Sequence, residues 1–510
     1  MQNTIKKISA VIFTLCLLCF IETKGQALTF RNTYPGIAVS SASQTSDHGY
    51  IIAGYSTTYS IGSKDIVLIK TDSTGAITWS TTFGNKVNAN ADDIPANAVE
   101  IPGAAGYYLA GQFWNQGNGS YEVYVLKTDA GGNRLWSKTM YNGGYDKGMH
   151  VENAAGGGCL VIGWLGNSSR GYLCRLDANG IIVWQNMINY PLGSWILQSG
   201  RPTPDGGMIN GGYDNELGTY EMWLMKTDGG GSITWQRGYA MNATYNFCYD
   251  VCRTSDNGYL AAGGSSGINL VKTDSSGNLL WAQTYSGVFG TNRAYSVKQC
   301  ADTGYIVLAN DLNNNQYLMK TDSSGNVLWT MKYTGGYYLN TVEQTTDGGY
   351  VLAMGSDIIK TDANGYTGCG DISFTLNASL LPIVTRTPSA FNTAQAASNT
   401  AADSSTNPIV IPSYCFTTGA EETASESSVI IFPNPAADKL SLIGYPLSGK
   451  CTIEIYNAVG AKVKYLTLNP SAKREGLSAS INISELNRGI YFVRIISEKE
   501  SVTKKIIVVR

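Results

Sequence analysis

A tripeptide, Lys-Thr-Asp, recurs six times in the 510-residue chain, at 70–72, 127–129, 226–228, 272–274, 320–322 and 360–362. Arg175-Leu176-Asp177 stands where a seventh copy is due, and successive copies lie 57, 48, 51, 46, 48 and 40 residues apart. In six copies a tryptophan follows the Asp by seven positions: Trp79, Trp136, Trp184, Trp235, Trp281 and Trp329. Upstream of each copy a turn leads into an apolar run, for example Asp47-His48-Gly49-Tyr50, Asp256-Asn257-Gly258-Tyr259 and Asp347-Gly348-Gly349-Tyr350. Units this short cannot bury an apolar face alone, so the chain must stack like units against one another.

Each unit reads as four short strands. In the fifth they are Tyr249–Thr254, Tyr259–Gly263, Ile268–Thr273 and Leu279–Thr284, with Asp274-Ser275-Ser276-Gly277 turning between the last two. With 58 Gly, 32 Tyr and only 15% charged residues, the composition suits strands and tight turns, and 43% hydrophobic residues exclude global disorder. Gly-rich turns between such short runs exclude a helical solenoid. Four-stranded units at this period predict a β-propeller over 28–366. The seventh unit lacks its tryptophan, Cys369 standing there, while Leu28–Tyr34 matches Leu279–Tyr285 with Phe30 at the Trp position. The sequence therefore predicts an all-β, seven-bladed propeller whose N-terminal strand completes the last blade and removes open sheet edges.

Lys6 and Lys7 precede an apolar run, Ile8–Ile21, and Gly25-Gln26-Ala27 supplies small residues for cleavage, so 1–27 reads as a secretory signal peptide. Leu15 and Leu18 precede Cys16 and Cys19 where a lipoprotein anchor wants a small residue, which argues against that alternative. No later segment holds 18 consecutive apolar residues, so no transmembrane helix is expected after the signal. Export leads to a compartment where disulfides persist. Among the eight cysteines beyond residue 27 no Cys-x-x-Cys pair supports zinc, and Cys369–Cys415 is the expected bridge. Residues 367–426 read as a flexible linker, since Asn392–Asn407 is Ala, Ser, Thr and Asn with little to bury.

The tail, 427–510, resumes short strands in a pattern that suits an immunoglobulin-like sandwich. It carries Phe432-Pro433-Asn434-Pro435, Ile455-Tyr456-Asn457-Ala458-Val459-Gly460, Ile483–Tyr491 with Gly489, and Lys504-Lys505-Ile506-Ile507-Val508. In these motifs the tail resembles the type A C-terminal sorting domain of the type IX secretion system. The resemblance marks Pro433, Asn434, Pro435, Gly460, Gly489, Tyr491, Lys504 and Lys505 as the sorting motif. It implies passage through the periplasm and across an outer membrane, with the secretion machinery and its sorting protease as partners. It also implies loss of the tail, the passenger being released or held on surface lipopolysaccharide. The tail holds 12 basic and 6 acidic side chains, while the chain between signal and tail holds 21 and 31. A basic tail suits an acidic receptor surface, or simply solvates a small sandwich. The repeat resembles a bacterial propeller family common in exported proteins. Its tripeptide-to-Trp hairpin is also similar to that of pyrroloquinoline-quinone propellers, although no quinone site is found, and no cofactor is expected.

With 36 basic and 38 acidic side chains, the chain is no strongly basic nucleic-acid binder. Of its two histidines, His48 reads as a solvated turn residue and His150 as a structural or channel-facing one. Each repeated Asp (Asp72, Asp129, Asp177, Asp228, Asp274, Asp322, Asp362) has one carboxylate where calcium wants several, so turn capping explains them better. Asp92-Asp93 is the best pair for a metal or acid/base role, but no metal site is expected. Function should lie on the face where connections vary. That face carries Tyr145, Tyr190, Trp195, Tyr245, Phe247, Phe289, Tyr337 and Tyr338. Aromatic faces stack on sugars or apolar side chains, so Tyr145, Tyr190, Trp195, Tyr245, Phe289 and Tyr337 are the candidate residues for an extracellular glycan or protein ligand. Equally, these rings seal neighbouring blades. Two alternatives remain. One is an extracellular glycan-degrading enzyme drawing on Asp92, Asp93, Glu122, Asp214, Glu216 or Glu221, and the other is a purely structural surface protein. No catalytic constellation is recognisable.

Overall fold

The computed structural model describes residues 28–508 except 59, 61–62, 85–91, 167–169, 190–194, 216–217, 242–245, 265–266, 287–292, 312–314, 335–340, 370, 375, 381–382, 388–390, 395–402, 406–413, 417–429, 433–437, 444–450, 458–460, 469–478, 488 and 497–500. The expected signal peptide lies outside the described residues. The chain divides into two units, after Thr418. No helix occurs among the described residues, and none is therefore long and apolar enough to cross a membrane.

The first unit is a propeller-like series of antiparallel sheets, one per repeat. Sheet one is Ile37–Gln44, Tyr50–Ser56, Asp65–Thr71 and Ile77–Gly84. Sheet two is Ile94–Glu100, Tyr107–Asn115, Ser120–Thr128 and Arg134–Met140. Sheet three is Lys147–Asn153, Cys159–Leu165, Arg170–Leu176 and Ile182–Asn189. Sheet four is Trp195–Pro202, Met208–Asp214, Glu221–Thr227 and Ile233–Met241. Sheet five is Cys248–Arg253, Tyr259–Gly263, Ile268–Thr273 and Leu279–Ser286. Sheet six is Arg293–Gln299, Tyr305–Asn310, Gln316–Thr321 and Val327–Tyr333. Sheet seven takes Thr341–Gln344, Tyr350–Met354 and Asp357–Thr361, and its fourth strand is Phe30–Thr33. Phe30 pairs with Lys360 just as Trp281 pairs with Lys272.

Both repeat markers have a mechanical role. The Asp of each tripeptide caps the following turn: Asp274 Oδ1 accepts the N–H groups of Ser276 and Asn278 at 2.8 and 2.9 Å, and the other six do the same. The turn then presents a glycine with positive φ, such as Gly277 at +77°, against the aromatic ring of the preceding sheet. Trp79 lies over Gly132, Trp136 over Gly180, Trp184 over Gly231, Trp235 over Gly277, Trp281 over Gly325 and Trp329 over Gly365. Phe30 lies over Gly75, so sheet seven meets sheet one by the same contact. Any side chain at these glycines would need an unfavourable backbone conformation and would strike a ring.

Residues 367–426 correct the expectation of a flexible linker. In their described part, short strands add antiparallel to the outer edges of the sheets in reverse order. Ile372–Ser373 joins sheet six, Asn377–Leu380 sheet five, Ile383–Arg386 sheet four, Phe391–Ala394 sheet three and Asp403–Ser405 sheet one. Tyr414–Phe416 pairs with the N-terminal strand on sheet seven. Leu380 and Val384 are 80% and 72% exposed, while Phe374, Leu376 and Ile383 pack against the sheet cores, so backbone pairing and a few buried side chains together hold this part of the belt. An Ala/Ser/Thr/Asn run has little to bury, yet it satisfies an open edge as well as any sequence. Arg386 adds an anchor, donating to Asp214 and Glu221.

The second unit has a three-stranded sheet (Ile430–Phe432, Lys439–Ile443, Ala479–Asn482) and a four-stranded sheet (Cys451–Asn457, Lys462–Leu468, Gly489–Ile496, Ser501–Val508). Leu440, Ile453, Ile455, Ile481, Val493, Ile495 and Ile506 form its core. Tyr491 belongs to that core and donates to Asn487 O at 2.9 Å, whereas Lys504 and Lys505 are exposed. Pro433, Asn434, Pro435 and Gly460 lie outside the described residues.

Phe30 and Tyr34 are fully buried, so the N-terminal strand carries a large apolar load on sheet seven. Phe30→Ala is expected to cost about 3–5 kcal/mol in denaturant unfolding, and deletion of 28–36 to destabilise the whole first unit. A truncated chain melting cooperatively at the parent temperature would refute this.

Candidate functional site

The first strand of each sheet borders one shared cavity of about 820 Å³. Six of these strands carry a β-bulge at the same place, between Val39 and Ser41, Pro95 and Asn97, Gly148 and His150, Leu197 and Ser199, Cys248 and Asp250, and Ala294 and Ser296. A bulge re-aims the side chain that follows it. At six of seven equivalent positions that side chain accepts the backbone N–H of the next sheet's first strand. Ala98 N donates to Ser41 Oγ (3.3 Å), Val151 N to Asn97 Oδ1 (2.8 Å), Val251 N to Ser199 Oγ (2.9 Å), Val297 N to Asp250 Oδ2 (3.0 Å), Val342 N to Ser296 Oγ (3.2 Å) and Ala42 N to Thr341 Oγ1 (3.1 Å). The exception is His150.

His150 turns instead to a charged cluster. Two residues further along each strand, sheets one and two offer Ser43 and Val99, while sheets three to seven offer Glu152, Arg201, Cys252, Lys298 and Glu343. Arg201 Nη2 donates to Asp250 Oδ1 at 2.8 Å, and its Nη1 lies 3.4 Å from Glu152 Oε1 and donates to His150 Nε2. The same ring nitrogen lies 2.9 Å from Glu152 Oε1. One nitrogen cannot accept the Arg201 proton and donate another. Burial, then the Arg201 charge, lowers the His150 pKa, which assigns a neutral ring accepting from Arg201. Burial pushes Glu152 up, but the positive charges of Arg201 and Lys298 oppose it and favour the carboxylate. Asp250 is likewise lowered, its burial outweighed by Arg201 and Lys298. Burial raises Glu343 despite the charge of Lys298. Among the described residues the Lys298 side chain makes no hydrogen bond or ion pair.

The cavity is also lined by Tyr55, Lys64, Lys147, Tyr249 and Tyr295, from the side of the variable connections. Tyr249 and Tyr295 pack at a tilt of 40° with centroids 4.8 Å apart. Lys64 is held by Asp92 at 2.6 Å.

The candidate aromatics fare differently. Tyr145 lies 4.7 Å from Tyr121 and 5.8 Å from Trp164, and donates to Gln112 Oε1 at 2.9 Å, so it seals sheet two against sheet three. Phe247 packs in the same way on Tyr213 and Tyr220. Tyr190, Tyr245, Phe289, Tyr337 and Tyr338 lie outside the described residues, and of Trp195 only the backbone is described. The described candidate carboxylates are occupied. Asp93 accepts Trp114 N, Glu122 accepts Asn115 and Asn118, and Asp214 and Glu221 hold Arg386; Glu216 is not described. His48 sits in its turn at φ 64°, as Asn257 does. Among the described residues no group of three His, Cys, Asp or Glu side chains could hold a metal ion.

Residues 430–509 match the family described as the secretion system C-terminal sorting domain. The tail is thus a type IX secretion sorting domain, which indicates export through the periplasm to the cell surface or beyond and interaction with that machinery. No curated protein matches the chain. Among solved structures it is similar to a protein of unknown function from Bacteroides caccae, with 13% identity over 52% of this chain and 93% of that one, and a TM-score of 0.36. It is also similar to Sqt1 from Chaetomium thermophilum, with 9% identity over 64% and 97% and a TM-score of 0.41. A third likeness is to the PilY1 C-terminal domain of Pseudomonas aeruginosa, with 12% identity over 62% and 90% and a TM-score of 0.29. None of these likenesses bears on ligand or activity.

The lowered His150 pKa gives a signed prediction. As pH falls through the ordinary value of 6.5, the unfolded chain takes up the proton before the folded one. The contribution of neutral His150 is therefore complete above that value and lost below it. Glu152, Arg201, Asp250, Lys298 and Glu343 share the cavity, so parent and His150→Gln should be compared at each pH. Denaturant titrations between about pH 7.5 and about pH 5.5 are expected to show the parent losing stability relative to the variant.

Proposed function

We propose that this is an exported, non-catalytic binding protein of the cell surface or medium. In this reading the seven sheets close as a seven-bladed propeller, the tail is an immunoglobulin-like sandwich, and residues 1–27 are removed as a signal peptide. Cyclic closure is supported by Phe30 on Gly75, which joins sheet seven to sheet one as every other pair is joined, and by Thr341 on Ala42, a seam repeated at five of the other six pairs. The ligand, a glycan or a protein, enters the central channel past Tyr249 and Tyr295. The single observation that carries the reading is a polar channel walled on one side by Glu152, Arg201, Lys298 and Glu343, with the tilted pair Tyr249 and Tyr295 beside it. Such a cavity, with convergent polar groups and shifted pKa values, is where a binding site is to be sought.

Replacement of Tyr249 and Tyr295 by Ala, in the chain from residue 28, is expected to weaken binding on a glycan array or to a surface-protein panel about tenfold. The melting temperature should hold. A fall in melting temperature with unchanged binding would mark the pair as packing. Release of reducing ends from a bound polysaccharide would favour the enzymatic alternative.

A further inference from the structure

The charged groups of the cavity are not spread evenly along it. The first strand of each sheet enters from the variable connections, passes its bulge and then reaches the seam position. All three carboxylates of the wall lie at or beyond that position, Asp250 on it and Glu152 and Glu343 two residues further in. Arg201 and Lys298 stand among them. Arg201 is paired with Asp250 and Glu152, and the Lys298 charge acts on all three carboxylates. Glu343 also has donors of its own, Ser43 and the N–H of Gln44. Arg253 lies one residue past this tier and donates to Pro202 O at 3.3 Å.

Ahead of the bulge the balance is different. Two cations line that mouth, Lys64 and Lys147, and no carboxylate of the wall accompanies them. Lys64 is held by Asp92 at 2.6 Å. Lys147, three residues before the seam position of sheet three, is half-buried, and among the described residues its side chain makes no hydrogen bond or ion pair. The adjacent carboxylate does not serve it, because Asp146 accepts the N–H groups of Asn142 and Gly166 at 2.8 and 2.6 Å. Burial lowers the Lys147 pKa, and among the described residues no charge offsets it.

A cation held partly out of water without a partner is costly, and an apolar side chain would suit packing better. A carboxylate brought by a ligand supplies the missing partner through a charge-assisted hydrogen bond. Deeper in, three carboxylates face Arg201 and Lys298, so an anion gains nothing by passing the mouth. A cavity of about 820 Å³ falls within the roughly 300–1,000 Å³ of small-ligand sites and does not offer the broad surface that a folded protein partner covers. Tyr249 and Tyr295, the bulged residues of sheets five and six, line the same mouth and are partly exposed, so their rings suit the apolar face of a sugar. Resting on the binding reading above, we infer that the mouth of the channel takes a carboxylate-bearing glycan, with Lys147 holding the carboxylate and the Tyr249–Tyr295 pair carrying a ring of the chain.

Calorimetric titration of the chain from residue 28 with oligouronates and with matched neutral hexose oligosaccharides tests this. Oligouronates should bind, with the neutral oligosaccharides about tenfold weaker or worse. Lys147→Met should bring the oligouronates down to the neutral level and leave neutral binding unchanged, while Lys147→Arg should keep most of the preference. Removal of an unpaired cation should hold or raise the melting temperature, which separates lost recognition from lost folding. Added NaCl should weaken oligouronate binding more in the parent than in Lys147→Met. Neutral binding as tight as acidic, a parent-like preference in Lys147→Met, or a preference lost in Lys298→Met alone overturns the inference and leaves a glycan-binding channel. Polyglutamate bound as tightly as the oligouronates overturns the choice of a glycan. A ligand found only on the protein panel overturns the inference and leaves the broader binding reading standing, whereas silence on both array and panel defeats the two together.

Discussion

The repeat lysine, buried at its ammonium, is the interaction around which the first unit is organised. Lys70, Lys226, Lys272, Lys320 and Lys360 have side chains only 2–7% exposed, and each is paired with the aspartate of its own sheet's first turn: Asp47, Asp205, Asp256, Asp302 or Asp347. Each ammonium also donates to the carbonyl of the threonine that follows it. A buried cation without such partners would be prohibitive, so the pair ties the third strand to the turn between the first two. The carboxylates respond: burial raises Asp256, but Lys272, Thr254 and Gly258 N–H outweigh it and hold it at about 2. Sheets two and three lack that aspartate. There Arg175 reaches Ala155 O, a neutral substitute for the same closure, whereas Lys127 reaches across to Ala178 O in the turn of sheet three.

This explains why so much of the fold was legible. Lys-Thr-Asp and Asp-x-Gly occur together because one is the partner of the other, and the tryptophan seven residues on is placed to cover the next sheet's glycine. Phe30 could be read as a displaced tryptophan because its partner across the strand pair, Lys360, is also a repeat residue. The belt was not legible. Backbone pairing to an open edge leaves no periodic apolar signal, and Leu380 and Val384 point to solvent.

The candidate site was hidden for the opposite reason. Repetition directs attention to connections that vary in length, yet the described aromatics there, Tyr145 and Phe247, bind sheet to sheet. The informative variation lies inside the most regular strands. His150, Asp250 and Ser296 occupy one repeat position, and the residues two further on, Glu152, Cys252 and Lys298, differ in charge at constant length. Aligning each first strand on its bulge would have exposed that tier. Without the bulge, alternation alone does not say which side chain faces inward.

Repetition and its breaking thus serve separate ends. Where a position only has to join neighbouring sheets, Ser, Thr, Asn or Asp accepts a backbone proton and nothing more is required. Where that seam is given up, at His150, the arginine of the next sheet fills the gap and brings two carboxylates with it. The belt then returns the chain to the N-terminal strand, and the division between units follows at Thr418. A cut beyond that point would leave every described strand of the sheets and belt in place.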